Sequence, residues 1–230
     1  MTSMAPITTV LFDWGHTLFD TGDSLRFVVE RSAALGHPIP LDEAARLHAD
    51  ALVASRRPEE LAKGRDLDIE RHRACWMDLW QAFEARCPGL AGELWRFETT
   101  PAGWQPYPDV AEVLADVRSL GVRIVIVSDV PFDLRSFFVA YDLSHLVDAY
   151  VLSSEHGVTK AEGGLFPIAL AEAGCSAADA LMVGDNPAND GQAPRWGIRT
   201  LLLPHVPSGT SRGLRAVVAL VAESQRAGGS

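Results

Sequence analysis

The feature that most constrains this chain is a short apolar run, closed by a carboxylate or a hydroxyl, that recurs along it. Val10-Leu11-Phe12 ends in Asp13, Val122 to Val127 ends in Ser128-Asp129, and Leu181-Met182-Val183-Gly184 ends in Asp185. Runs of β-branched, aliphatic and aromatic residues bounded in this way read as strands of a parallel sheet buried on both faces. Helix-period stretches separate them. Val110, Val113, Leu114, Val117 and Leu120 make one apolar face before Gly121, and Pro167 to Ala173 forms a second helix before Gly174. This alternation predicts an α/β fold, a doubly wound parallel sheet with right-handed crossovers and helices on both faces. In such sheets ligands bind outside the carboxyl ends of the strands, where Asp13, Ser128 and Asp185 fall.

The predicted strands are Ile7–Phe12, Val122–Val127, Ala149–Leu152, Ala180–Val183 and Ile198–Leu203. Helices are expected from Asp109, which with Glu112 forms a capping-box-like start, over Asp133–Tyr141, and over Arg212–Glu223. Ala227–Ser230 reads as a disordered tail. One long segment breaks the alternation. Between Thr21 and Gln105 the chain reads as helical: Asp23 is placed to cap a helix closing near Gly36, and Asp42 to cap another over Ala44–Ser55. His72, Cys75, Trp76, Leu79, Trp80 and Phe83 put an apolar stripe on one face of a third helix. Residues 1–20 with 106–230 are therefore expected as the α/β core and 21–105 as an all-helical insertion, hinged near Thr100-Pro101 and Pro106–Pro108.

A hydrophobic content of 47% over 230 residues is ample for a packed interior. The net charge of −10 argues against nucleic acid or an anionic membrane as partner. No apolar run approaches the roughly eighteen residues of a membrane span, and the amino-terminal residues Met1–Pro6 carry no basic residue of a targeting signal. Cys75, Cys87 and Cys175 are odd in number and lack CxxC spacing, so a reducing cytoplasm is expected, with neither a disulfide framework nor a zinc site.

The order Asp13, Ser128, Lys160, then Asp185 with Asp190 five residues on, resembles the haloacid dehalogenase superfamily. Phosphatases of that family carry a DxDxT loop, a Ser or Thr after the second strand, a Lys, and a GDxxxxD motif. The resemblance implies a Rossmann-like core with a helical cap inserted after the first strand's loop. It implies Asp13 as nucleophile forming an aspartyl-phosphate, with Lys160, Ser128 and N–H groups of the Asp13–Thr17 loop neutralising the phosphate of a small phosphorylated metabolite. It also implies magnesium, held by Asp13, the carbonyl of Gly15, Asp185 and Asp190. Taken singly, Lys160 reads as a solvated surface lysine and Asp190 as the cap of the short helix before Gly197. The order of the motifs favours the site.

The chain departs from the pattern at three positions. Asp129 stands where Asn is usual, Ala161 where Pro is usual, and Gly15 where the second Asp of DxDxT belongs. That carboxylate would protonate the leaving oxygen and then activate water, a role worth about 10²–10⁴-fold. A slow hydrolase is expected, with His16 as a conceivable substitute acid/base. The competing reading is a weakly active member that binds a phosphorylated ligand or a protein partner. Carbon–halogen and carbon–phosphorus cleavage rank lower. A dehalogenase needs no metal acids, and a phosphonatase needs an imine-forming lysine, for which the insertion offers Lys63. Its arginines, including Arg56, Arg57, Arg65, Arg71 and Arg73, are outnumbered by acids, the mixture of solvated helix faces.

Overall fold

The structure, a computed structural model, describes residues 5–228. In chain order the first elements are β1 (Thr9–Phe12) and β2 (Phe19–Thr21), then the helices α1 (Ser24–Ala34), α2 (Leu41–Ser55), α3 (Pro58–Leu61), α4 (Ile69–Leu79), α5 (Gln81–Arg86) and α6 (Leu90–Glu98). Next come β3 (Trp104–Pro106), α7 (Val110–Ser119), β4 (Arg123–Ser128), α8 (Arg135–Ala140), β5 (Ala149–Leu152), α9 (Ser153–His156) and α10 (Leu165–Ala173). The chain continues through β6 (Ala180–Gly184), a 3₁₀ segment (Asp190–Trp196), β7 (Arg199–Leu202) and α11 (Arg215–Gly228). Contacts divide the chain into an α/β unit, up to Asp20 and from Pro106 on, and a helical unit, Thr21–Gln105.

The α/β unit is built on a five-stranded sheet in the order β5-β4-β1-β6-β7, and a separate two-stranded sheet joins β2 and β3. All pairings in the five-stranded sheet are parallel. Its strands are apolar on both sides: Leu11, Val125, Val127 and Met182 pack with Phe166 and Ala169 of α10, while Val10, Phe12, Ile124 and Ile126 are buried as well. Full burial of each large side chain contributes about 1.5–3 kcal/mol. The order places β1 at the centre, with successive strands added first on one side and then on the other. That reversal makes the carboxyl end of β1 the topological switch point, where a doubly wound sheet opens a crevice.

The helical unit has its own core of Val28, Ile39, Trp80, Phe83, Leu90 and Leu94. Asp23 caps α1 through the Arg26 N–H at 2.8 Å. Asp42 does not cap α2. The N-cap is Pro40, and Asp42 lies in the first turn, where a negative charge suits the helix dipole. The expected third helix is two, α4 and α5, because the backbone leaves helical values at Trp80 (φ −96°, ψ 17°). Burial of the indole among the helices outweighs the continuous stripe there.

Two local readings of the α/β unit are overturned. Asp109 makes no side-chain bond to α7, and the last helix begins at Arg215 rather than Arg212. At the carboxyl terminus Ala227 continues α11, while Gly229 and Ser230, like Met1–Met4, lie outside the described residues. Among the described residues no helix is long and apolar enough to cross a membrane.

Candidate active site

Register brings the site residues together. Phe12 pairs with Val183 on one side and Ile126 on the other, so Asp13, Ser128 and Asp185 leave the sheet at nearly the same level. The Asp13 N–H donates to the Val183 carbonyl at 2.9 Å, which extends the ladder one residue beyond β1. The chain then turns sharply. The Trp14 carbonyl accepts from the N–H groups of Leu18 and Phe19, both at 2.9 Å, and the His16 N–H donates to the Phe19 carbonyl at 2.6 Å. Trp14 anchors the loop from its other side, its buried indole edge-on to Phe137 and Phe132 at 5.0 and 6.1 Å. The left-handed residue of the loop is His16 (φ 57°), whose imidazole is half exposed, 3.7 Å from the Asp20 carboxylate.

Lys160, one of the most buried polar residues of the chain at 2% exposure, joins two carboxylates. Its Nζ donates to Asp13 Oδ1 at 2.5 Å and to Asp190 Oδ1 at 2.6 Å. The other Asp13 oxygen accepts from the Thr17 hydroxyl at 3.2 Å. Burial pushes the Asp13 carboxyl up to about 7, with Lys160 pulling it down and Asp190 and Asp185 pushing it further. Burial also works to lower Lys160, but the charges of Asp13, Asp190 and Asp129 overcome it, so the ammonium is held above the usual lysine range. One cation thus serves several acids. Removing it would leave buried carboxylates facing each other.

Asp190 is fully buried and its second oxygen accepts from the N–H groups of Asp185 (3.0 Å) and Asn186 (2.9 Å). It therefore shapes the loop after β6 as well as orienting Lys160. Gly184 is required for this approach, since a Cβ at that position would stand 2.2 Å from the Asp190 carboxylate. Asp185 is half-buried. Its carboxyl is raised by burial and by Asp190, against the lowering effect of His16, Lys160 and Arg212. Ligand oxygens of Asp13, Asp185 and Asp190 lie within 4.8 Å of one another.

Ser128 is the buried last residue of β4, and Gly15 bridges to Phe19 within the Asp13 loop. Two further residues, one of them noted above only as a departure from the family's pattern, shape the neighbourhood. Asp129, whose carboxyl is raised by burial, accepts from the Lys160 main-chain N–H at 2.8 Å and from the Asn189 amide at 3.1 Å, tying the Lys160 loop to β4. The Ser153 hydroxyl accepts from the Val130 N–H at 2.8 Å and fixes the turn after Ser128. Asp129 was legible as a carboxylate at a strand end, whereas Ser153 carries no sequence signal.

The chain is 32% identical over 111 residues to a phosphoserine phosphatase of Thermus thermophilus, a stretch that spans 47% of this chain and 42% of that protein. A HAD phosphatase from Thermococcus onnurineus superimposes with a TM-score of 0.63 at 21% identity, over 94% of this chain and 98% of that one. An L-2-haloacid dehalogenase from Xanthobacter autotrophicus does so with a TM-score of 0.65 at 19% identity, over 94% and 88%. At such identities these two structures establish the fold. The family model of the haloacid dehalogenase-like hydrolases matches residues 7–196, and the chain belongs to that family.

Proposed function

We propose that this hydrolase is a magnesium-dependent phosphatase of a small phosphorylated metabolite, working through an aspartyl-phosphate on Asp13. The observation that carries the reading is the acid-rich cluster, in which Asp13, Asp185 and Asp190 bring oxygens within 4.8 Å while Lys160 is, among the described residues, the side chain donating a charged bond into it. An all-oxygen donor set with surplus negative charge fits magnesium. Asp13, Asp185 and the Gly15 carbonyl would hold the ion, with Asp190 behind them because its oxygens already accept three hydrogen bonds. When bound, magnesium supplies charge neutralisation between nucleophile and phosphate.

In this reading Asp13 attacks phosphorus as the ester P–O bond breaks, and the leaving oxygen takes up a proton. Water then attacks the aspartyl-phosphate, releasing inorganic phosphate and returning Asp13 as carboxylate. Lys160 orients Asp13 and favours its ionised form against burial, and Ser128 at the end of β4 donates to the phosphate. The helical unit fills the role of the family's cap. Gly15 provides no acid for the first step and no base for the second, so turnover is slow on esters with poor leaving groups.

The second reading, a weakly active binding protein, rests on Gly15. Imine chemistry is disfavoured: Lys63 bonds to Glu60 at 2.7 Å, which raises its pKa, whereas an imine-forming amine requires a lowered one. The test is a panel of phosphate esters with magnesium and with chelator, on the parent and on Gly15→Asp. Hydrolysis lost with chelator is expected, together with a gain of up to about 10²–10⁴-fold for Gly15→Asp on an alkyl ester and less on an aryl ester. A folded Gly15→Asp protein with no gain on any ester, beside a parent that binds phosphorylated ligands without turnover, would replace the hydrolase with the binding protein.

A further inference from the structure

Arg212 is 2% exposed and lies outside residues 7–196, the stretch matched by the family model. Its guanidinium faces three main-chain carbonyls. Nε donates to His16 at 2.7 Å, one terminal nitrogen donates to Leu203 at 3.1 Å, and the other donates to Pro204. The ring of Tyr107 lies 5.6 Å from the guanidinium carbon. The segment that carries Arg212 is held separately: the Asp109 carboxylate accepts from the N–H groups of Arg212, Gly213 and Leu214, each at 2.9 Å. Asp109 is thus withdrawn from capping α7 to anchor a segment more than a hundred residues downstream.

The carbonyl of His16 belongs to the loop that begins with Asp13. His16 is a non-glycine residue in the left-handed region, where its Cβ crowds the backbone, and such a conformation persists only where neighbours fix it. Two hydrogen bonds do so: its own N–H to Phe19 and its carbonyl from Arg212. The planar fork of arginine suits this task because three separate nitrogens reach the His16, Leu203 and Pro204 carbonyls, tying the β1 loop to the exit of β7, whereas the three donors of an ammonium radiate from a single atom.

We propose that Arg212 is a positioning residue that holds the Asp13–Thr17 loop in its active shape by fixing the left-handed turn at His16. The proposal rests on Asp13 being the nucleophile, but the loop conformation can be read without activity. The experiment is a double-mutant cycle of Arg212→Lys and His16→Gly, read by kcat and KM on an aryl phosphate with magnesium and by hydrogen exchange of the Leu18 and Phe19 amides. Arg212→Lys is expected to lower kcat by up to about 100-fold with KM nearly unchanged, and to speed exchange of those amides. Glycine adopts the left-handed region unaided, so adding His16→Gly to Arg212→Lys should restore much of both losses. Equal losses with His16 and with Gly at position 16 would reduce Arg212 to a packing residue and overturn the proposal. If the parent shows no phosphatase activity, the exchange arm still decides, and only the hydrolase reading falls. Should Arg212→Lys not fold, Asp109→Asn loosens the anchor while keeping the guanidinium. Faster exchange of Leu18 and Phe19 in that variant supports the proposal, and unchanged protection overturns it.

Discussion

The α/β unit and the helical unit each enclose a polar cluster, and they do it in opposite ways. In the α/β unit the buried groups are ionic, with Lys160 bonded to Asp13 and Asp190. In the helical unit the enclosed group is the half-buried imidazole of His72, with the Trp76 indole N–H 2.9 Å from its Nε2 and that of Trp95 3.1 Å from its Nδ1. A neutral imidazole has one acceptor nitrogen, so one of these indoles donates at a time, and a protonated ring would accept from neither. The Arg65 and Arg73 guanidinium groups lie over the Trp76 and Trp95 rings, and the charge of Arg65 further opposes one on the imidazole. Burial first, then Arg65, holds the His72 pKa down to about 4. The helical unit keeps its interior neutral. The α/β unit bears the cost of interior charge at the carboxyl end of β1.

The contrast is testable from the larger effect downward. Lys160→Met strands buried carboxylates and is expected to cost about 3–5 kcal/mol in urea unfolding, with magnesium restoring part of it. A loss under about 1 kcal/mol without metal would mean that the cluster is effectively solvated. Acid should act on the helical unit. His72 is neutral when folded down to about 4, whereas the unfolded residue takes up its proton near 6.5, so stability is full above 6.5 and drains as pH falls from 6.5 to about 4. The drain is up to about 3 kcal/mol, and His72→Gln should lose less than the parent between those pH values. Identical pH curves for the two proteins would show that His72 does not control this window. Gly184→Ala would drive a methyl into the Asp190 carboxylate, with an expected cost of about 1–3 kcal/mol and weakened magnesium binding by calorimetry. A tighter-binding variant would contradict the packing. The smallest effect is local: Asp23→Ala removes the α1 cap and should lower stability by about 1 kcal/mol, leaving magnesium affinity unchanged.

What could be read in the sequence depended on how local the physics is. Each sheet strand announced itself by an apolar run, and because β-register follows from packing, Asp13, Ser128 and Asp185 could be put at one edge before any contact was known. Asp23 was legible as a cap because its partner, the Arg26 N–H, is three residues away. Asp109 misled for the same reason. Its spacing to Glu112 imitates a capping box, yet its acceptors serve Arg212, Gly213 and Leu214, and no local pattern encodes a partner that distant. The loop's strain was likewise invisible. Gly15 drew attention as a departure, but the left-handed residue is His16. In the helical unit α6 went unread because Gly89 and Gly92 break its signal, and the halt at Trp80 is decided by tertiary burial.

The central place of β1 has a kinetic consequence. Its two neighbours are β4 and β6, with Thr9 paired to Arg123 and to Ala180. During synthesis from the amino end, β1 emerges first, and the whole helical unit is made before its first neighbour exists. Non-local parallel pairing is slow because the intervening chain must be closed before any ladder bond forms. Until then Val10, Leu11 and Phe12 are an apolar strand with both edges open, the kind of surface that associates with other chains or recruits a chaperone. The strand that delivers Asp13 is therefore also the strand that waits longest for its neighbours.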